Sequence, residues 1–173
     1  RDPVMSLMSS NSQAAPVDQS PHDHREDILV YDFPVFDSEL EVTGPVSLKL
    51  WAKTDGPDTD FTAKLAIVYE DGLAVNLTYG IMRTQYRNGY ENPTLLEPGE
   101  LAEYTIKLNP IGCMFKSGQK LRLYVSSSDF PNFDRNHNTG KDYWSDAELR
   151  TAHQTILHST DHPSHLVLPV IPR

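Results

Sequence analysis

The chain has 173 residues, with 15 Lys and Arg against 24 Asp and Glu and a formal net charge of −9 at pH 7. This length suits one domain with its own hydrophobic core, and the acidic balance disfavours nucleic acid as a partner. No apolar run is long enough to cross a membrane, so we expect no membrane partner, and a lone Cys113 excludes an intrachain disulfide.

The first 27 residues are rich in Ser, Pro, Asn, Gln and Asp and show no sustained periodicity. We therefore expect an irregular leading segment at 1–27, followed by a single β-sandwich domain at 28–173. The start, Arg1-Asp2-Pro3-Val4, has neither an initiator Met nor a signal-peptide pattern, which indicates a cut end. The compartment stays open, with a cytoplasmic location favoured over a secreted one.

Short runs with β-type composition follow one another from residue 28 onward, separated by turn residues. Gly44-Pro45 is expected to separate two of these strands, and Asp71-Gly72 predicts a hairpin. One segment, 146–153, is expected to be helical. The predicted strands are 28–31, 40–43, 46–53, 61–69, 73–82, 103–108, 120–126, 154–158 and 165–168. The pattern predicts an all-β fold, a jelly-roll-like β-sandwich of the galactose-binding-domain type with few short helical turns.

A catalytic nucleophile is not indicated by the sequence. None of the nine glycines frames a Gly-x-Ser-x-Gly elbow. A Ser-His-Asp trio chosen from the remaining residues would be arbitrary, because sequence proximity does not set triad geometry. We expect no catalytic residue and no cofactor in this chain.

Two groups of residues have side chains that could ligate a metal. A histidine group could hold zinc, but its spacing matches no zinc motif, and interstrand or turn histidines are favoured. An aspartate group could hold calcium, but it lacks the glycine-centred loop, and turn formation is favoured. We therefore expect no metal site. The histidines are His153, His158, His162 and His165, beside Asp161, and the aspartates are Asp55, Asp58 and Asp60.

Several aromatic side chains could form a platform for a sugar ring, although core packing is the favoured use of such residues. They are Tyr79, Tyr86, Tyr90, Tyr143 and Trp144. The glycosylation sequon at Asn76 falls in a predicted strand and is attributed to chance.

The segment 126–136 has the highest density of side chains able to form hydrogen bonds. We expect a buried loop that is anchored by Phe130 and Phe133. Asp134, Arg135 and Asn136 would then satisfy backbone groups through charge-assisted bonds. Such a loop is predicted to be a structural clamp or an interface.

This same loop, 127–136 with Asn138-Thr139-Gly140, resembles a signature of the CocE/NonD family of serine hydrolases, which includes cocaine esterases and X-prolyl dipeptidyl-peptidases. Further resemblances lie in the segments 18–31, 40–65 and 158–169, in the family's order. The resemblance implies a jelly-roll-like C-terminal domain that packs against an α/β-hydrolase domain of the same polypeptide. It also implies that the catalytic triad lies in that other domain and that the substrates are esters, amides or X-prolyl peptides.

The resemblance leaves an accessory role for this chain: supporting the hydrolase domain, shaping substrate access and joining a homo-oligomer. Met5, Leu7 and Met8, next to Val4, are candidates for lining the acyl pocket. The alternative function, from a different class, is a free-standing carbohydrate-binding module, since jelly rolls also serve as lectins.

Overall fold

The computed structural model describes residues 17–142 and 144–172. Met5, Leu7, Met8 and Tyr143, to which the sequence assigned possible roles, lie outside the described residues. Within the described part, the regular structure consists of nine β-strands and two 3-10 turns, Ser20–His22 and Thr84–Tyr86. None of its helical segments is long and apolar enough to cross a membrane.

The nine strands form two antiparallel sheets, and most of them match the predicted runs. In chain order the strands are β1 (Leu29–Asp32), β2 (Leu40–Thr54), β3 (Asp60–Val68), β4 (Ala74–Arg83), β5 (Ala102–Phe115), β6 (Lys120–Ser126), β7 (Gln154–Leu157), β8 (His165–Val167) and β9 (Val170–Ile171). Sheet I has the order β1-β6-β3-β4, and in sheet II β2 pairs with β5 and also with β7, β8 and β9. The all-β sandwich expected from the sequence is confirmed.

The core lies between the two sheets because both present alternating apolar residues to it. Phe61 and Tyr104 are its largest fully buried side chains, with ring centroids 5.1 Å apart. The sheets also meet at one side, where Thr78 of β4 donates to the Asn109 carbonyl at 2.8 Å. A Cβ on Gly80 would overlap the Lys107 carbonyl, so β4 and β5 approach each other as closely as bare backbone allows.

The outer face of sheet I is partly covered by residues 17–28. Gln19 donates through its backbone N–H to the Ala74 carbonyl at 2.6 Å, and Asp18 forms an isolated bridge with Val75. The Tyr124 hydroxyl donates to Asp23 at 2.8 Å. Strand β3 is consequently buried on both faces. The predicted boundary between residues 27 and 28 stays a prediction.

Two local predictions about the backbone are wrong. Gly44-Pro45 does not end a strand: β2 continues through it, and the register with β5 shifts between Gly44 and Val46 because β5 has an extra residue there. The segment 146–153 is not helical. Its backbone is held by distant partners instead, since Arg150 N–H donates to the His137 carbonyl at 3.0 Å and His153 N–H to the Asp55 carboxylate at 2.9 Å.

Candidate interface at the loop end

Three long connections meet at one end of the sandwich: residues 55–59, 84–101 and 127–153, with Tyr143 not described. We call this region the loop end. The first two connections are joined by backbone bonds, from Thr84 N–H to the Thr59 carbonyl at 2.9 Å and from Leu96 N–H to the Pro57 carbonyl at 2.8 Å. Arg150 joins the third connection to the first by donating to the Asp55 carbonyl at 2.8 Å. The loop end is therefore one ordered unit.

Two buried carboxylates, Asp58 and Asp60, lie at the centre of this unit. The Asn136 side-chain amide donates to both, at 2.9 Å to Asp58 and 2.8 Å to Asp60. Asp60 also forms a two-pronged ion pair with Arg83 at 2.9 and 3.0 Å. Burial raises the pKa of the Asp60 carboxyl, which Arg83 and Asn136 partly counteract.

Asp58 binds the second connection through its other oxygen. It accepts from the Thr84 hydroxyl at 2.8 Å and from the Gln85 N–H at 3.0 Å. Arg83 also donates to the Asp134 carbonyl at 2.9 Å, which fixes the backbone of the third connection. We call Asp58, Asp60, Arg83 and Asn136 the polar clamp.

The aspartates considered for calcium are thus engaged with protein donors. Asp55 is held by the His153 N–H, which lowers the pKa of its carboxyl. The structure brings Asp58 and Asp60 together but surrounds them with N–H and O–H donors, which favours the structural interpretation. Within the described residues, no group of three or more His, Cys, Asp and Glu side chains could hold a metal ion.

The histidines considered for zinc are dispersed and have structural partners. His158 lies edge-on to Tyr31, with ring centroids 6.2 Å apart, and His162 lies edge-on to Trp51 at 4.9 Å. The His165 ring nitrogen Nδ1 is 2.7 Å from the Pro163 carbonyl oxygen. These contacts agree with the preferred interpretation of interstrand and turn histidines.

The predicted anchoring of the segment 126–136 by buried phenylalanines is wrong. Phe130 and Phe133 are 37% and 38% exposed, and Arg135 lies over the Phe130 ring at 5.5 Å. The buried anchor is Asp129, whose carbonyl accepts from the Asn132 and Phe133 N–H groups at 2.9 and 3.2 Å. The polar residues take the inner positions because their bonds can be satisfied there, and the rings face outward.

A second ion pair ties this loop to the outer face of sheet I. Lys64 Nζ lies 3.9 Å from the Asp129 carboxylate and donates to the Gln19 side chain at 3.3 Å. Both Lys64 and Asp129 have little exposed side-chain surface, and burial lowers the pKa of the Lys64 ammonium. The predicted bonding of Asn136 to a backbone group is present as well, since its carbonyl accepts from the Asn138 N–H at 2.9 Å.

The aromatic side chains considered as a sugar platform are only partly brought together. Tyr86 and Tyr90 pack with ring centroids 5.2 Å apart, and Tyr90 is 84% exposed. Both line a groove of about 250 Å³ together with Phe133. Tyr79 is half-buried within β4, and Trp144 is exposed in the third connection. Asn76, the residue of the sequon, is half-buried, and its side-chain carbonyl accepts from the Val17 N–H at 2.7 Å.

The fold and the loop end define a β-sandwich module whose ordered loops present aromatic side chains at one end. Residues 4–167 match the family model described as the X-Pro dipeptidyl-peptidase C-terminal non-catalytic domain. The chain belongs to this family. The resemblance found in the segment 127–140 is thereby confirmed.

Similar proteins include larger hydrolases. A cocaine esterase of Rhodococcus sp. (strain MB1 Bresler) is 43% identical over 99% of this chain, which spans 31% of that relative. An aminopeptidase structure from a marine sediment Thaumarchaeota archaeon superposes with a TM-score of 0.86 and 28% identity, covering 91% of this chain and 28% of that one. A structure of an α-amino acid ester hydrolase gives a TM-score of 0.85 and 27% identity, covering 90% and 27%. The chain thus spans less than a third of each of these proteins.

Proposed function

We propose that this chain is the C-terminal β-sandwich of a CocE/NonD-type serine hydrolase that cleaves esters or amides, and that it supports the catalytic part and shapes substrate access. The observation that carries the proposal is the match of nearly the whole chain to a non-catalytic domain family, at less than a third of the length of its relatives. The names of these relatives, cocaine esterase, aminopeptidase and amino acid ester hydrolase, share the cleavage of an acyl–oxygen or acyl–nitrogen bond.

The use of serine hydroxyls within the described residues supports a structural function. Ser164 Oγ donates to the Leu157 carbonyl at 2.5 Å and accepts from the Trp51 N–H at 2.8 Å. Ser127 Oγ accepts from the Gln154 side chain at 2.9 Å. Each of these hydroxyls connects strand or loop backbone, rather than pairing with a histidine ring as an activated nucleophile does.

The first test is to determine the coding sequence upstream of Arg1. We expect an in-frame segment with a Gly-x-Ser-x-Gly elbow, followed by the aspartate and histidine of a triad. A start codon close to Arg1 with no hydrolase sequence before it would contradict the proposal and favour the carbohydrate-binding alternative.

The second test is enzymatic. The complete polypeptide should hydrolyse a short aryl ester and should be labelled at serine by a fluorophosphonate, whereas residues 1–173 alone should do neither. Turnover by residues 1–173 that the fluorophosphonate abolishes would refute the assignment of this chain as non-catalytic.

A further inference from the structure

Large apolar side chains are exposed together at the loop end. Tyr90 and Trp144 are 84% and 81% exposed, and the two phenylalanines of the third connection are also exposed. The complete group is Tyr90, Leu95, Phe130, Phe133, Trp144 and Leu149. Soluble monomers rarely leave aromatic surface of this kind concentrated in one region, and such patches mark interaction sites.

These side chains are carried by loops that are rigidly fixed. The polar clamp and the backbone bonds among the three connections hold the loop backbone, so the rings cannot turn inward without breaking buried bonds. The groove between Tyr86, Tyr90 and Phe133, of about 250 Å³, has room for one apolar side chain. A preorganised aromatic pocket is the arrangement found at the centres of protein interfaces, where aromatic residues contribute most of the binding energy.

Building on the proposed function, we propose that the loop end is the face on which the catalytic part of the same polypeptide packs, with an apolar side chain of that part in the Tyr86–Tyr90–Phe133 groove. More than two thirds of the cocaine esterase relative lies outside the region that this chain matches, so the occupant is a large segment joined covalently. Covalent connection gives it a high effective concentration, so a patch of modest size is sufficient.

A second apolar patch lies far from the loop end and provides a control. Val170 is 47% exposed on β9, which pairs with Glu41 and Val42 at the start of β2. The loop end begins after Thr54, at the other end of this 15-residue strand. The patch on β8 and β9 has aliphatic rather than aromatic side chains, and its strands are three and two residues long.

Hydroxyl-radical footprinting of the complete polypeptide tests the proposal, with Tyr69 as an internal reference. Tyr69 is 40% exposed beside the hairpin turn, and Tyr90 is 84% exposed, so in this chain alone Tyr90 should be oxidised about twice as fast. If the catalytic part covers the groove, Tyr90 should be oxidised more slowly than Tyr69. Faster oxidation of Tyr90 than of Tyr69 in the complete polypeptide would overturn the proposal.

Paired variants of the complete polypeptide provide the second readout. Phe133→Arg should restore fast oxidation of Tyr90 and shorten the half-life of hydrolase activity on heating, whereas Val170→Arg should do neither. Phe133→Ser, which introduces no charge, should give the same changes with a smaller effect, and far-UV circular dichroism should be unchanged in all three. If Val170→Arg shortens the half-life and Phe133→Arg does not, the docking face has been misplaced.

Fluorophosphonate labelling separates the two proposals. A labelled polypeptide with unprotected Tyr90 overturns the docking face and leaves the proposed function standing, whereas an unlabelled polypeptide counts against both. Protection of Tyr90 that appears only when an oligosaccharide is added also overturns the docking face and supports a sugar platform.

Discussion

The substitution Asn136→Ala removes the amide that joins two buried carboxylates. Its Nδ2 donates to Asp58 at 2.9 Å and to Asp60 at 2.8 Å, and both aspartates are almost fully buried. After the substitution, Asp60 keeps its two bonds to Arg83, and Asp58 keeps those to Thr84 and Gln85. The two carboxylate oxygens each lose one donor, and water must enter or the charges stay less well solvated.

A hydrogen bond to a charged group contributes about 1.5–3 kcal/mol, so two such bonds give about 3–6 kcal/mol. Because both carboxylates keep other donors, we expect the lower end, a loss of about 3 kcal/mol in the free energy of unfolding. In a domain of this size, that loss lowers Tm by about 6–12 °C.

Urea unfolding at pH 7, followed by tryptophan fluorescence, measures this loss. The matched control is Asn132→Ala in the same loop, where the amide donates to a single carboxylate, Asp129, at 3.0 Å. The control should cost about 1 kcal/mol. A third variant, Asn136→Asp, should be less stable than Asn136→Ala at pH 7, because it places a third negative charge beside Asp58 and Asp60.

The reasoning is refuted if Asn136→Ala is no more destabilising than Asn132→Ala. That result would mean that the two aspartates are satisfied without the amide and that the polar clamp does not fix the third connection. A stability of Asn136→Asp equal to that of Asn136→Ala would also count against it, because the charges at this site would then be well screened by water.

Two further substitutions test other parts of the structure. Gly80→Ala should lower the free energy of unfolding by about 3 kcal/mol, because the new Cβ overlaps the Lys107 carbonyl, whereas Gly112→Ala, whose nearest neighbour is at 4.0 Å, should change it by less than about 1 kcal/mol; similar urea midpoints for the two variants would contradict the close approach. Hydrogen bonding to Arg122 lowers the pKa of Asp32 from 3.8 to about 2, so this carboxylate stabilises the fold above pH 3.8 and the contribution is lost as the pH falls to about 2. Asp32 is 37% exposed, and after allowance for screening Asp32→Asn should cost about 1 kcal/mol at pH 7 and little at pH 2; an equal cost in urea titrations at both pH values would contradict the assignment.

The strands were predictable because their apolar residues alternate, and the Gly44-Pro45 break was not. A bulge depends on the partner strand, and the extra residue lies in β5, more than 60 residues later. The helix predicted at 146–153 failed for a similar reason. Arg150 and His153 bond to residues that are distant in sequence, and these bonds outweigh the local preference of the segment.

One part of the polar clamp could have been found from the sequence. A two-residue turn at Asp71-Gly72 places Asp60 opposite Arg83 when the hairpin is counted outward, and the structure has this pairing. Opposite charges at directly paired positions attract each other across a hairpin. Asn136 has no comparable signal, because 76 residues separate it from Asp60 and no local pattern connects them.

The outward position of Phe130 and Phe133 could not be predicted from this chain, because burial of an apolar side chain says nothing about which molecule provides the cover. Within the described residues, the outer face of sheet I is partly covered by residues 17–28, and that of sheet II carries ion pairs such as Lys49 with Glu103. Apolar surface therefore remains mainly at the loop end and on β8 and β9. Of these two regions, the loop end combines aromatic rings, a groove and a buried polar clamp, and a clamp of this kind is useful only where loop geometry must be kept for a contact.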